Sequence, residues 1–178
     1  MRQTTTLSTF FIALGSLLLT ACDAPAPTAT VAPAEESTPA VNTDFKVTRK
    51  VDAPFEDVSD DIKIAITDRG IKINNISHIG NMLARTGKDV GSTVQIFAGD
   101  AVAIEFCSST ISRETMEADP HNIVFCPYII SVYSLPGDEQ HTYVTYRKPL
   151  LVGDARSKAS LKAVEGLLEE IIIEAVGE

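Results

Sequence analysis

The stretch VAIEFCSSTISRETMEADPHNIVFCPYIISVY, residues 102–133, decides the fold. Val102, Ile104 and Phe106 alternate with Ala103 and Glu105, the period of two expected of a strand with one buried face, and that parity puts Glu105 outward. The strand is read from about Thr93 to Cys107, with Gly99-Asp100 as its weak point. Ser108 and Ser109 then offer hydroxyl caps for a helix through about Ala118. Asp119-Pro120 ends it, because proline drives the residue before it out of the helical region. From Asn122 to Leu135 an apolar, β-branched and aromatic run reads as a central strand. Pro127 removes a ladder donor there and implies an edge or a bulge.

Working outward, Pro136-Gly137-Asp138 reads as a turn and His141 to Arg147 as the second arm of a hairpin. From Asp154 onward Leu161, Val164, Leu168, Ile171, Ile172 and Ala175 share one stripe, which predicts a long helix covering a sheet face. Upstream, Phe45 to Val51 alternates as a strand. Phe55, Val58, Ile62 and Ile66 recur at helical spacing, and Gly70 stands where a left-handed terminus needs no Cβ. Ile71 to Ser77 alternates again, and residues 78–88 read as a short helix or turn between Gly80 and Gly87. The class is α+β, with an antiparallel or mixed sheet and helices packed on one face, in a single domain over 45–178.

The N-terminus reads as an address. Arg2 and the apolar stretch LSTFFIALGSLLLT (7–20) form a signal peptide pattern over 1–21. A helix of about 15 apolar residues spans about 22 Å, short of the roughly 30 Å hydrocarbon core. Leu19-Thr20-Ala21-Cys22 resembles the bacterial lipobox, whose cysteine takes a diacylglycerol and whose new amino terminus is acylated, commonly with palmitate. Two or more chains give stable anchoring where one would not. Asp23 resembles the signal for inner-membrane retention, so the expected address is a lipoprotein facing the periplasm from the inner rather than the outer membrane. Residues 22–44, rich in Ala, Pro and Thr, read as the lipidated cysteine and a tether.

Composition excludes some partners. Of 178 residues, 24 are Asp or Glu and 15 Lys or Arg, for a formal charge of -9. Binding a polyanion needs a clustered basic face, which these scattered cations do not form, so nucleic acid is not an expected partner.

SHIGNMLARTGKDVGS (77–92) followed by the 102–133 stretch resembles the bacterial family known as domain of unknown function 302, over about residues 45–150. Two cysteines, each after an apolar run and separated by a helix ending in Ala-Asp-Pro, carry the resemblance. It implies a compact α/β sandwich similar to the TATA-binding-protein type of fold, with frequent homodimers and no established activity. Ser108 stands after Cys107 where many relatives have Asn, and Phe125 before Cys126 where many have Pro.

With Cys22 acylated, Cys107 and Cys126 remain as an even pair in an oxidising compartment. Both close a run ending in Phe-Cys with a short helix between them, which predicts one local environment. A disulfide, two packed thiols, and a ligand or redox role are all open. No C-x-x-C or C-x-x-C-H motif is present. His78 and Met82, four apart, would share a helix face and could offer nitrogen and thioether to haem iron or a soft metal, though a surface His beside a packed Met fits as well. Asp60-Asp61 and Glu169-Glu170 fall on exposed helix faces, Ser108-Ser109 lacks the glycines of a nucleophile elbow, and GKDVG (87–91) is no phosphate loop. No enzyme motif survives. The sequence therefore predicts a membrane-tethered extracytoplasmic binding or sensing module for an unknown small ligand, its pocket between the sheet and the 78–88 segment near the two cysteines. The alternative is a periplasmic redox or haem/metal protein using those cysteines with His78 and Met82.

Overall fold

The computed structural model describes residues 45–177. The expectations for the leader, Cys22 and the tether lie outside the described residues. Within them the chain runs β1 (Lys46–Val51), α1 (Phe55–Asp68), β2 (Ile73–His78), α2 (Ile79–Thr86), β3 (Ala101–Phe106), α3 (Ser109–Ala118), β4 (Tyr128–Tyr133), β5 (Thr142–Arg147) and α4 (Ala155–Val176). The strands form one sheet in the order β1-β5-β4-β3-β2, and every pairing is antiparallel. The domain is α+β.

Alternation sorts the two faces. Val102, Ile104 and Phe106 of β3, Tyr128, Ile130 and Val132 of β4, and Val144 and Tyr146 of β5 enter one core with Val58, Ile62 and Ile66 of α1 and Val164, Leu168, Ile171 and Ile172 of α4. Each such side chain contributes roughly 1.5–3 kcal/mol of burial, so this face dominates stability. The opposite face carries Thr48, Thr145, Ser131, Ala103 and Ser77 in register across all five strands. On that side Glu105, outward as its parity requires, accepts hydrogen bonds from Asn75 Nδ2 (3.2 Å) and Ser77 Oγ (3.1 Å).

Local chemistry sets the element ends. Arg69 ends α1, and Gly70 follows at a φ of 68° without the Cβ penalty of the left-handed region. Ser108 caps α3 by accepting from the Ile111 N–H, and Asp154 caps α4 by accepting from the Ser157 N–H. At the sheet edge Tyr146 donates to Glu169 Oε2 at 2.9 Å, and Arg49 pairs with the same carboxylate, so β1, β5 and α4 are tied at one point. Burial, then Glu169, holds the Tyr146 hydroxyl protonated well above its ordinary range.

Two strand expectations change. Residues 93–100 are not a strand: β3 starts only at Ala101, and the segment before it is held by the Ala98 N–H donating to the Ser134 carbonyl at 2.9 Å. Residues 122–135 are not one strand either. Asp119 accepts from the His121 N–H and starts a 3-10 turn over Pro120–Phe125, which leaves Ile123 and Val124 exposed. β4 begins only after Pro127 and is interior, so the proline marks its entry rather than an edge or bulge.

Candidate functional site

At the C-terminal end of β3 the chain places a pair of thiols. Cys107 follows Phe106, Cys126 closes the 3-10 turn after α3, and both are free and partly exposed. Their side chains interact directly, and the Tyr128 backbone N–H and the Ser112 hydroxyl also reach Cys107. Ser112 Oγ lies 3.4 Å from Cys126 Sγ and 3.0 Å from the Tyr128 hydroxyl. Burial, then the neighbouring Cys126, pushes the Cys107 thiol up, and burial pushes the Tyr128 hydroxyl up as well. Both shifts favour the protonated form, and the Ser112 and Tyr128 hydroxyls stand against the thiol pair. The sequence singled out the cysteines but not Ser112 or Tyr128. Their positions, five residues after Cys107 on a helix and two after Cys126 on a strand, were the available signal.

His78 and Met82 lie at the other end of β3. His78 pairs in register with Val102, so five residues at about 3.3 Å each put it roughly 16 Å along the strand from Cys107. The expected soft-ligand set of His78, Met82, Cys107 and Cys126 is thus split between two ends. His78 ends β2 instead of sitting inside the helix, and its Nδ1 meets Asp100 Oδ2 at 2.5 Å. The Met82 sulfur is 3.8 Å from the Thr86 hydroxyl on an exposed helix face. Among the described residues no three of His, Cys, Asp and Glu converge in a way that could hold a metal ion.

The pocket expected between the sheet and the 78–88 segment, near the cysteines, is not where the hollow beside that segment lies: its other wall is the loop before β3, and the cysteines are at the far end of the strand. A cavity of about 330 Å³ lies between α2 and residues 94–100, walled by Leu83, Ala84, Val94, Ile96 and Phe97, with Asn81, Gln95 and Asp100 as its polar groups. A second hollow of about 290 Å³ continues it past Gly87 and Ser92. Two contacts build it. A Cβ on Gly80 would sit 2.5 Å from the Ala101 nitrogen and 2.7 Å from the Gly99 carbonyl oxygen, so α2 lies against the entry of β3 only because residue 80 is glycine. On the far wall Phe97 packs on Tyr133 at 5.4 Å, Tyr133 stacks on Tyr143 at 5.5 Å, and Lys50 stands 5.9 Å over Tyr143. Asp138 completes that row by accepting from Tyr143, Lys50 and His141, and the Tyr143 and Lys50 donors hold its carboxyl well below the usual range.

A single antiparallel sheet with helices on one face, a dithiol at one end and a groove at the other define an α+β domain of the sandwich class. A family model described as "Domain of unknown function DUF302" matches residues 47–175, and the chain belongs to that family. Among solved structures it is similar to an uncharacterized conserved DUF302 protein from Bacillus stearothermophilus. That match has a TM-score of 0.61 and 17% identity, and covers 75% of this chain and 99% of that one, a likeness of fold. No curated protein matches the chain. Among the described residues no helix is long and apolar enough to cross a membrane.

Proposed function

We propose that this protein is a membrane-tethered extracytoplasmic binding module, anchored through Cys22 and taking a small, largely apolar ligand in the groove beside α2. The observation that carries the reading is the cavity between Leu83, Ala84, Val94, Ile96 and Phe97. Its volume falls within the range of about 300–1,000 Å³ of small-molecule sites, with an apolar lining and a few polar groups to orient the occupant. The leader pattern and Leu19-Thr20-Ala21-Cys22 support the address.

The test uses the full chain in lipid nanodiscs and N-phenyl-1-naphthylamine, an apolar aromatic amine whose fluorescence rises in a dry site. Binding above that of empty nanodiscs is expected, and Ala84→Trp, which fills the groove from its exposed wall, should abolish the excess. Equal signal from the two proteins, with both still folded, removes the groove reading. Separately, Cys22→Ser should abolish incorporation of an alkyne-tagged palmitate during growth; labelling that persists refutes the anchor.

A further inference from the structure

We propose that Cys107 and Cys126 form a reversible dithiol/disulfide couple that clamps α3 to the sheet and is oxidised by disulfide-bearing molecules outside the cytoplasm. The inference goes beyond ligand binding at the α2 groove. It rests on the proposed address only for the source of its oxidant.

Geometry carries it. Phe106 and Tyr128 are paired at the ends of β3 and β4, and Cys107 follows the first by one residue while Cys126 precedes the second by two, so the two cysteines lie on adjoining stretches of chain. The thiols already interact, and both are partly exposed, so an oxidant can reach them. Ser112, on α3, contacts Cys126 and Tyr128 together, so the helix sits over the pair. Elsewhere α3 packs on α4 and sets Ile111 against the core. Thr115 is its one buried residue, and Asn122, donating to the Thr115 carbonyl and the Ser157 hydroxyl, supplies the main polar tie from the turn to α4. A bond from 107 to 126 would close a ring containing residues 108–125, which is α3 with the turn that follows it.

The chemistry balances as thiol–disulfide exchange. One cysteine, deprotonated, attacks a sulfur of the oxidant RS–SR; a bond from that cysteine to SR forms, the S–S bond of the oxidant breaks, and RS⁻ leaves to take up the proton. The second cysteine, deprotonated, attacks the protein sulfur of this mixed disulfide, forming the Cys107–Cys126 bond and expelling the other RS⁻, which is protonated in turn. Two electrons and two protons pass from the protein to the oxidant, giving two RSH. A reducing dithiol runs the sequence backwards.

The experiment equilibrates the full chain in nanodiscs with mixtures of oxidised and reduced glutathione, quenches with acid, and maps peptides by mass. A cross-linked pair of peptides carrying Cys107 and Cys126 should rise with oxidised glutathione and vanish on reduction. Cys107→Ser should leave Cys126 as a mixed disulfide with glutathione. Amide exchange across 109–118 should slow by about tenfold in the oxidised protein, since opening of the helix then works against a closed ring. Two free thiols in fully oxidised glutathione overturn the couple, and equal exchange in the two states overturns the clamp. Dye binding and the mass of the Cys22 peptide, read from the same samples, report on the groove and the anchor alone.

Discussion

The two ends of β3 share a strand and little else. At the N-terminal end α2 touches the strand through backbone, because Gly80 has no side chain, and the space left beside it is a groove with apolar walls. At the C-terminal end α3 touches through side chains, with Ser112 set against a thiol and a phenol that occupy the space between helix and sheet. The difference teaches how one sheet can hold an open end and a closed end. A contact made by glycine fixes the distance between backbones without filling the volume around it. A contact made by hydroxyls and sulfurs fills the volume but can be changed by chemistry.

The contrast can be broken most severely from beneath. Leu168 is 2% exposed in the core beneath the sheet, so Leu168→Asp should cost more than about 4 kcal/mol by burying an unpaired charge. Thermal melting should show loss of the cooperative transition or a large fall in Tm; an unchanged Tm would mean that α4 does not support the sheet. Gly80→Ala should act at one end only. Its Cβ would meet backbone, which cannot swing away, so a cost of about 1–3 kcal/mol is expected, together with loss of naphthylamine binding and an unaltered response of the cysteines to glutathione. Should both ends respond, they are mechanically one unit. Ser112→Ala is the mirror test, with a loss of about 1 kcal/mol on denaturant unfolding and faster exchange in α3, while dye binding stays as in the parent.

The smallest effect is confined to low pH. Asp138 is held below the ordinary carboxylate range by Tyr143 and Lys50, so its contribution is complete at pH values above the unfolded value of about 4 and is lost as the pH falls through the lower folded value. Asp138→Asn should flatten the acid limb of a stability-against-pH curve and weaken the aromatic row behind the groove. An acid limb identical to that of the parent would assign the acid sensitivity to other carboxylates.

What could be read from the sequence was set by how local the cause is. The stripe of α4, the Ser108 cap and the turn at Gly70 depend on residues within a few positions of one another, and each element formed where its pattern stood. Thr93 to Phe97 alternates like a strand, yet nothing in the segment reveals that Phe97 docks on Tyr133, 36 positions on, and that Ala98 donates to Ser134. The 122–135 run misled in the same manner, since apolarity suggested a strand where Asp119 and Pro120 had already set a tighter turn. Of the site residues, the cysteines stood out by repeating Phe-Cys around one helix. His78 and Met82 stood out by spacing alone, and spacing within one segment does not reveal which end of a neighbouring strand that segment occupies.

The strand order has a consequence for how the chain is assembled. β1 and β2 come first in the sequence but occupy opposite edges, and the three strands between them come last. Thr48 on β1 meets Thr145 on β5 across 97 positions, so the first strand to be synthesised waits for the last before it has a partner. A chain that emerges N-terminus first therefore carries α1 and two unpaired edges until β3, β4 and β5 follow, and among the described strands the hairpin of β4 and β5 is the neighbouring pair joined by the shortest connection. Such a topology ties early elements to late ones, delays the sheet until nearly the whole domain is out, and gives a fragment stopped before residue 142 no means of closing its first edge.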